Sequence, residues 1–333
     1  MKVLVAGGAG YIGSTVCSAL KEAGHTPIVL DSLIRGKEEF AKMNIFYKGD
    51  ISDLDVLKKI VEEQGPIEYA IDFAALISVP ESTEKVYEYY KNNVSKTIEF
   101  LNNLHTVGCN NIIFSSSASI YGSSDTIEVT EDAPHRPSSP YAKTKSMMEG
   151  IIEDFCDCYG MKGVLLRYFN PLGADPKLRT GAFIEKPSHI LGKLLEAYNS
   201  EDKSFTVTGV DWPTPDGSGI RDYIHLWDLA KAHVKAVEKL PEIFNKEKDK
   251  NSIAINVGRG EGISVKELVS TFEDVIGEKL NVSEGPARPG DVAGAFANCD
   301  LSRELLDWKT ELTVNQAMQD SLKWEEKKKE LGL

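Results

Sequence analysis

Short apolar runs alternate with stretches of helical spacing through the first half of the chain. Lys2–Ala6 reads as a buried strand, and helical spacing follows from Ser14 to Ala23. Further strands are predicted at Pro27–Asp31, Ile45–Tyr47, Tyr69–Phe73, Asn111–Ser116 and Gly163–Arg167. Between them, helical spacing runs from about Leu54 to Gln64, from about Val86 to His105, and from Tyr141 to Tyr159. Repeated strand–helix units of this length imply an α/β fold: a doubly wound parallel sheet with helices on both faces. Ligands then belong beyond the carboxyl ends of the strands.

After about Pro171 the rhythm changes. Loops lengthen, Pro and Gly become denser, and helical patterns at roughly Ile184–Asn199, Leu226–Glu238, Ser264–Ile276 and Val314–Lys328 mix with short strands such as Ile253–Val257. This predicts two domains, a Rossmann domain over residues 1–171 and a smaller mixed α/β domain over 172–333 that caps the strand ends. Some strands and helices of the second part are expected to return to the first.

The first strand runs into Gly7-Gly8-Ala9-Gly10-Tyr11-Ile12-Gly13 and then a helix. Glycines at 7, 10 and 13 permit a tight turn and a close backbone approach to a pyrophosphate, which then sits on a helix N-terminus. The next strand ends in Asp31, roughly 20 residues on, where a ribose hydroxyl is expected. A carboxylate there repels the extra phosphate of NADP, so the expected cofactor is NAD.

Tyr141 and Lys145 lie one helical turn apart on one face. A phenol titrates near about 10, and an ammonium beside it favours the phenolate. Such a pair makes an acid–base group that works at neutral pH. On its own Y-x-x-x-K is a common surface pattern. Together with the glycine loop and Asp31 it becomes the acid–base centre of a nicotinamide site.

Charge narrows the partners. Across 333 residues, 38 basic against 51 acidic side chains leave a net charge of −13. That argues against a general nucleic-acid or anionic-membrane binder. No stretch approaches the ~20 apolar residues of a membrane span, and the first apolar run is too short for a signal-peptide core. A cytoplasmic location is expected. The five scattered cysteines (17, 109, 156, 158 and 299) read as reduced and structural, with no metal site.

These motifs together resemble the extended short-chain dehydrogenase/reductase family, and more closely its UDP-glucose 4-epimerases along nearly the full length. The passages that carry the resemblance are the glycine loop with Ser14, Phe114–Gly122, Arg167–Pro171, Gly219–His225 and Arg288-Pro289-Gly290-Asp291. The resemblance implies that Tyr141 takes the proton of the sugar 4-hydroxyl, assisted by Lys145 and Ser117, while tightly bound NAD accepts the C4 hydride. A 4-keto sugar turns over in its pocket and takes the hydride back on its other face. By register, Gly7, Gly10, Tyr11, Ile12 and Gly13 hold the pyrophosphate, Asp31 the adenosine ribose, and Asp50-Ile51 flank the adenine. Phe73-Ala74-Ala75, Asn93, Ser115 and Tyr168 line the route to the nicotinamide. Asn170, Arg221, Arg288 and Asp291 bind UDP, with His189 a further UDP contact. A homodimer through the helix after Val86 and the helix starting at Tyr141 is also implied.

The chain departs from the family at several places. Ile77 stands where many members have lysine, Ser188-His189 where many have two asparagines, and Thr208 where an aromatic often lies near the uracil. Ala295 stands where a bulky tyrosine is associated with restriction to plain glucose and galactose. A small residue leaves room for a 2-N-acetyl group, so UDP-N-acetylglucosamine and UDP-N-acetylgalactosamine are expected substrates too. Three alternatives remain open: a UDP-glucuronate 4-epimerase, a nucleotide-sugar 4,6-dehydratase, and a non-catalytic NAD-sensing protein. The dehydratases usually carry acidic residues after the serine motif, and here the run is Ser117-Ala118-Ser119-Ile120.

Overall fold

The computed structural model describes residues 1–124, 126–183, 189–288 and 291–333. Seven parallel strands form one sheet, in the order Ile45–Lys48, Thr26–Asp31, Lys2–Ala6, Tyr69–Asp72, Asn111–Ser117, Lys162–Tyr168 and Ser252–Val257. The order reverses at Lys2–Ala6, so a crevice opens between the loops that leave Lys2–Ala6 and Tyr69–Asp72.

Successive side chains of a strand point to opposite faces, and here both faces are buried. Val3, Val5, Val29, Ile71, Ile113, Val164 and Leu166 pack with Val16 and Leu20 of the Tyr11–Glu22 helix and with the Leu226–Lys246 helix. Leu4, Ala6, Ile28, Leu30, Ala70, Ile112 and Phe114 pack on the other side, against the Leu54–Gln64, Lys96–Thr106 and Pro140–Tyr159 helices. This double burial is why the strands read as continuous apolar runs.

The expected strand at 253–257 is the seventh strand of this sheet. Residues after 171 also build a separate core from the Ile190–Asn199, Val265–Ile276 and Val314–Leu331 helices. The first of these was expected from Ile184, and residues 184–188 lie outside the described ones. Short strands tie this part to the first: Asn170–Leu172 pairs with Tyr223–His225, and Glu128–Val129 pairs with Gly294–Ala297, which also pairs with Ile220–Arg221.

The helix expected from Val86 to His105 is broken. Val86–Tyr90 and Lys96–Thr106 are α-helical, but Lys91–Ser95 widens into a π turn. Such turns often occur at functional sites. This one aims Asn93 at the loop after Tyr69–Asp72, where its side chain accepts from Leu76 N–H (2.8 Å) and donates to Leu76 O (2.9 Å). Among the described residues no helix is long and apolar enough to cross a membrane.

Candidate active site

Because the strands are parallel, their carboxyl ends share one edge, and the sequence-predicted residues gather there. Gly7 has a positive φ of 76° and bonds Leu30 O through its N–H at 2.9 Å. A Cβ on Gly7 would lie 2.8 Å from Ala74 N, and one on Gly13 would lie 2.4 Å from Gly7 O. Both positions therefore require glycine. Gly10 caps the Tyr11–Glu22 helix without a side chain, leaving the first N–H groups open. The Tyr11 hydroxyl donates to Gly173 O (2.6 Å), and Ile12 packs into the core.

Asp31 is buried, and its two oxygens accept from Ala9 N–H (2.9 Å) and Leu33 N–H (2.8 Å). Burial pushes its carboxyl up, and these bonds oppose the push. Asp50 is paired with Lys96, a partner the sequence did not point to, and accepts from the Ser52 hydroxyl at 2.8 Å. Burial works against the Asp50 carboxylate, but Lys96 and Ser52 hold it below the usual range. Ile51 beside it is buried.

Ser139 caps the helix that carries Tyr141, accepting from Ala142 N–H at 3.2 Å, and Pro140 opens its first turn. Tyr141 and Lys145 are buried along one face, while Lys143 is exposed. The Lys145 ammonium donates to Ser115 O (2.6 Å) and lies 4.8 Å from the Phe114 ring centre. Burial pushes Lys145 down to about 8, with Asp72 and Glu149 opposing.

Sequence reasoning expected Lys145 to draw the Tyr141 phenol down. In the structure burial dominates and pushes the phenol up, opposed by a hydrogen bond with Ser117. The Lys145 ammonium is itself desolvated and hydrogen-bonded to Ser115 O. Ser117 Oγ also accepts from Ser119 N–H (3.2 Å), and the Ser115 and Tyr168 hydroxyls bond each other. Phe73 and Tyr168 flank His233, with ring centres 4.8 and 5.8 Å from it. Asn93 also reaches Thr144 Oγ1 (3.2 Å), so it pins both the 74–76 loop and the Tyr141 helix.

Behind the serines lies a buried network that sequence reasoning passed over. Glu149 forks with Arg167 (Nη2–Oε2 2.6 Å, Nε–Oε1 3.0 Å) and accepts from Ser116. Arg167 continues to the Tyr121 hydroxyl at 3.0 Å and Glu131 O at 2.7 Å. The sequence signal was available: Glu149 follows Lys145 at helical spacing, and Arg167 opens the Arg167–Pro171 passage.

On the far side, Asn170 Nδ2 donates to Asp222 O (3.1 Å). The Asp222 carboxylate, also missed, accepts from the backbone N–H groups of Arg259 (2.8 Å), Gly260 (3.1 Å) and Ala297 (3.1 Å). It thereby ties the Ile220–Arg221 strand to two other segments. His189 caps its helix, Nδ1 accepting from Gly192 N–H at 3.1 Å, which puts the neutral ring's proton on Nε2.

Among the described residues Arg221 donates to carbonyls alone, those of Ile220 (2.7 Å), Val292 (3.1 Å) and Ala293 (3.3 Å). Burial lowers its pKa, and the nearby Arg288 adds to that push. A half-buried guanidinium with no carboxylate on its fork among the described residues suits an incoming anion. Arg288 is exposed and paired with Asp291, Nε to Oδ2 at 3.1 Å. Pro289 and Gly290 lie outside the described residues. Ala295 pairs in register with Arg221 and packs on the cluster of Ile120, Tyr121, Val129 and Phe169. Ile77 is exposed, and Thr208 pairs with Gly285 in a two-stranded sheet.

A family model described as the NAD dependent epimerase/dehydratase family matches residues 3–258. The chain belongs to this family. A UDP-glucose 4-epimerase of Rhizobium meliloti (strain 1021) is 36% identical over 330 residues, covering 99% of this chain and 98% of that one. A crystal structure of UDP-glucose-4-epimerase from Stenotrophomonas maltophila with bound NAD and formylated UDP-arabinopyranose superimposes with a TM-score of 0.92 at 34% identity, covering 99% of both chains. The UDP-Glc/GlcNAc 4-epimerase from Campylobacter jejuni aligns with a TM-score of 0.81 at 32% identity, covering 98% of this chain and 99% of that one. Family members thus share the fold from end to end, including the part after residue 171.

Proposed function

We propose that this protein is an NAD-dependent UDP-hexose 4-epimerase that interconverts UDP-glucose and UDP-galactose. The observation that carries the reading is the buried Tyr141, bonded to Ser117 and one turn from Lys145, on the sheet edge that also holds the glycine cradle. Full-length likeness to UDP-glucose 4-epimerases supports it.

The residues fit NAD. The spaces above Gly7 and Gly13 admit no Cβ, and the backbone there can lie against a pyrophosphate with Gly10, Tyr11 and Ile12. Asp31 retains acceptor capacity for a ribose, and Asp50 and Ile51 stand at the adenine end. Phe73, Ala74, Ala75, Asn93, Ser115 and Tyr168 wall the nicotinamide end. Bound NAD supplies the acceptor that takes and returns the hydride at C4, and in its oxidised form a positive charge that favours the Tyr141 phenolate.

Tyr141 accepts the proton of the 4-hydroxyl as the C4–O bond becomes a carbonyl. Ser117 holds the same oxygen. Lys145 stabilises the phenolate across the buried site. Tyr141 then returns its proton to the oxygen of the turned-over 4-keto sugar. Arg221, Arg288, Asp291, Asn170 and His189 hold the UDP part, so the sugar can turn while its nucleotide stays fixed. Residues 1–171 carry NAD in this reading, and 172–333 carry mainly the UDP-sugar.

Ala295 extends the substrate range to the N-acetyl sugars. It presents a single methyl group beside Phe169 and Ala118, where a larger side chain would occupy the space. No carboxylate stands in the Ala118–Tyr121 turn, which disfavours a dehydratase. Exposed Val86, Tyr87 and Met147 on the two helices expected to pair support a homodimer, to be measured by light scattering after gel filtration. The free state of all five cysteines fits a reducing cytoplasm.

The test is direct. Purified protein incubated with UDP-galactose, without added NAD, forms UDP-glucose on chromatography. Protein that carries NAD yet forms none overturns the reading.

A further inference from the structure

Lys145 is enclosed by protein, and the charges that face it are unequally committed. On its own helix lie Tyr141 and Glu149. Glu149 is already neutralised by the Arg167 fork and the Ser116 hydroxyl. The Asn111–Ser117 strand supplies only the Ser115 carbonyl and the Phe114 ring. The Lys162–Tyr168 strand supplies the Tyr168 phenol and Arg167, the latter spent on Glu149. The Lys91–Ser95 turn presents the neutral Asn93. The Leu226–Lys246 helix presents His233, behind Phe73 and Tyr168, whose Nδ1 bonds Leu229 O at 2.9 Å.

The remaining charge is Asp72, at the end of the Tyr69–Asp72 strand. It is 2% exposed. It stands in register with Phe114, the residue whose ring carries the Lys145 ammonium. Among the described residues its carboxylate accepts one hydrogen bond, from Ala74 N–H at 2.9 Å. A buried carboxylate with one neutral donor is poorly compensated, and so is a buried ammonium held by one carbonyl. Each leaves the other as its counter-charge.

We propose that Asp72 is the positioning residue that keeps Lys145 protonated, so that the ammonium acting on Tyr141 depends on a carboxylate from the neighbouring strand. This rests on the epimerase reading for its consequence in turnover, but not for the pairing itself. The electrostatics run the same way. Burial pushes Asp72 up to about 6 while Lys145 draws it down, and burial pushes Lys145 down to about 8 while Asp72 and Glu149 hold it up.

The sign of the effect follows. Lys145 loses its proton as pH rises, and removing the Asp72 charge makes it do so at lower pH. Lys145 is titrated by 15N NMR of the lysine Nζ groups in the NAD-containing protein, its resonance assigned by its absence from Lys145→Arg. In Asp72→Asn its midpoint falls by about one pH unit, about tenfold in proton affinity. The alkaline limb of kcat for UDP-galactose falls to lower pH in step. Asp72→Glu, which keeps the charge, restores the midpoint. Asp72→Ser replaces the asparagine variant if that one fails to fold. A folded neutral variant whose Lys145 midpoint is unchanged overturns the proposal. A shifted midpoint in a protein that forms no UDP-glucose leaves the pairing standing and sinks the epimerase reading. A merely structural role would lower kcat at every pH and move neither midpoint nor limb.

Discussion

Replacing Arg221 with methionine separates binding from folding. Its guanidinium is half-buried and, among the described residues, donates to three backbone carbonyls, at 2.7, 3.1 and 3.3 Å. The carboxylate whose field reaches it, Asp291, is held by Arg288. In the ligand-free protein the change removes a partly desolvated cation but leaves carbonyls with fewer donors. These effects oppose each other, so unfolding in urea stays within about 1 kcal/mol of the unchanged protein. A bound diphosphate would gain hydrogen bonds from a charged donor, worth about 1.5–3 kcal/mol each. Loss of about 3 kcal/mol weakens UDP binding about 150-fold. Titration calorimetry with UDP reads the Kd, and urea unfolding reads the stability. A Kd within threefold of the unchanged protein would refute the assignment of Arg221 to the nucleotide. Unfolding of the ligand-free variant would show that the arginine is a structural group.

Tyr141→Phe keeps its NAD, measured by release on denaturation, and loses about 10²–10⁴-fold in kcat. Retained turnover would remove the phenol from the chemistry. Ala295→Tyr abolishes conversion of UDP-N-acetylgalactosamine and spares UDP-galactose, read by chromatography of both products. Unchanged ratios would show that residue 295 is no gate. Glu149→Gln leaves Arg167 buried without its carboxylate and destabilises the protein by about 3–5 kcal/mol in urea, whereas a loss below 1 kcal/mol would show that the network is dispensable.

The sequence made the sheet legible because its central strands are buried on both faces and several run into chemically distinctive residues. Gly7 and Asp31 could be placed from local spacing, and Tyr141 once the glycine loop and Asp31 were set beside it. What it hid depended on contacts between distant segments. The π turn at Lys91–Ser95 looks like ordinary helix in the sequence, because the bond it carries, from Asn93 to Leu76, joins two distant segments. Nothing local marks Asp72 in the sequence, and the pairing proposed for it depends on Phe114 and Lys145 on two other elements. The carbonyl cage of Arg221 is made largely of residues 292 and 293, which no pattern near position 221 reveals. The expected effect of Lys145 on Tyr141 was drawn from helical spacing, which gives proximity along a face but not the burial that pushes the phenol up.

The central claim is that one hydride leaves the sugar at C4 and comes back to it without meeting water. UDP-galactose deuterated at C4, incubated with the protein in ordinary water, tests this most directly. The UDP-glucose formed should carry its deuterium at C4, read by mass spectrometry and NMR. Product that has exchanged this deuterium for solvent hydrogen would contradict the account.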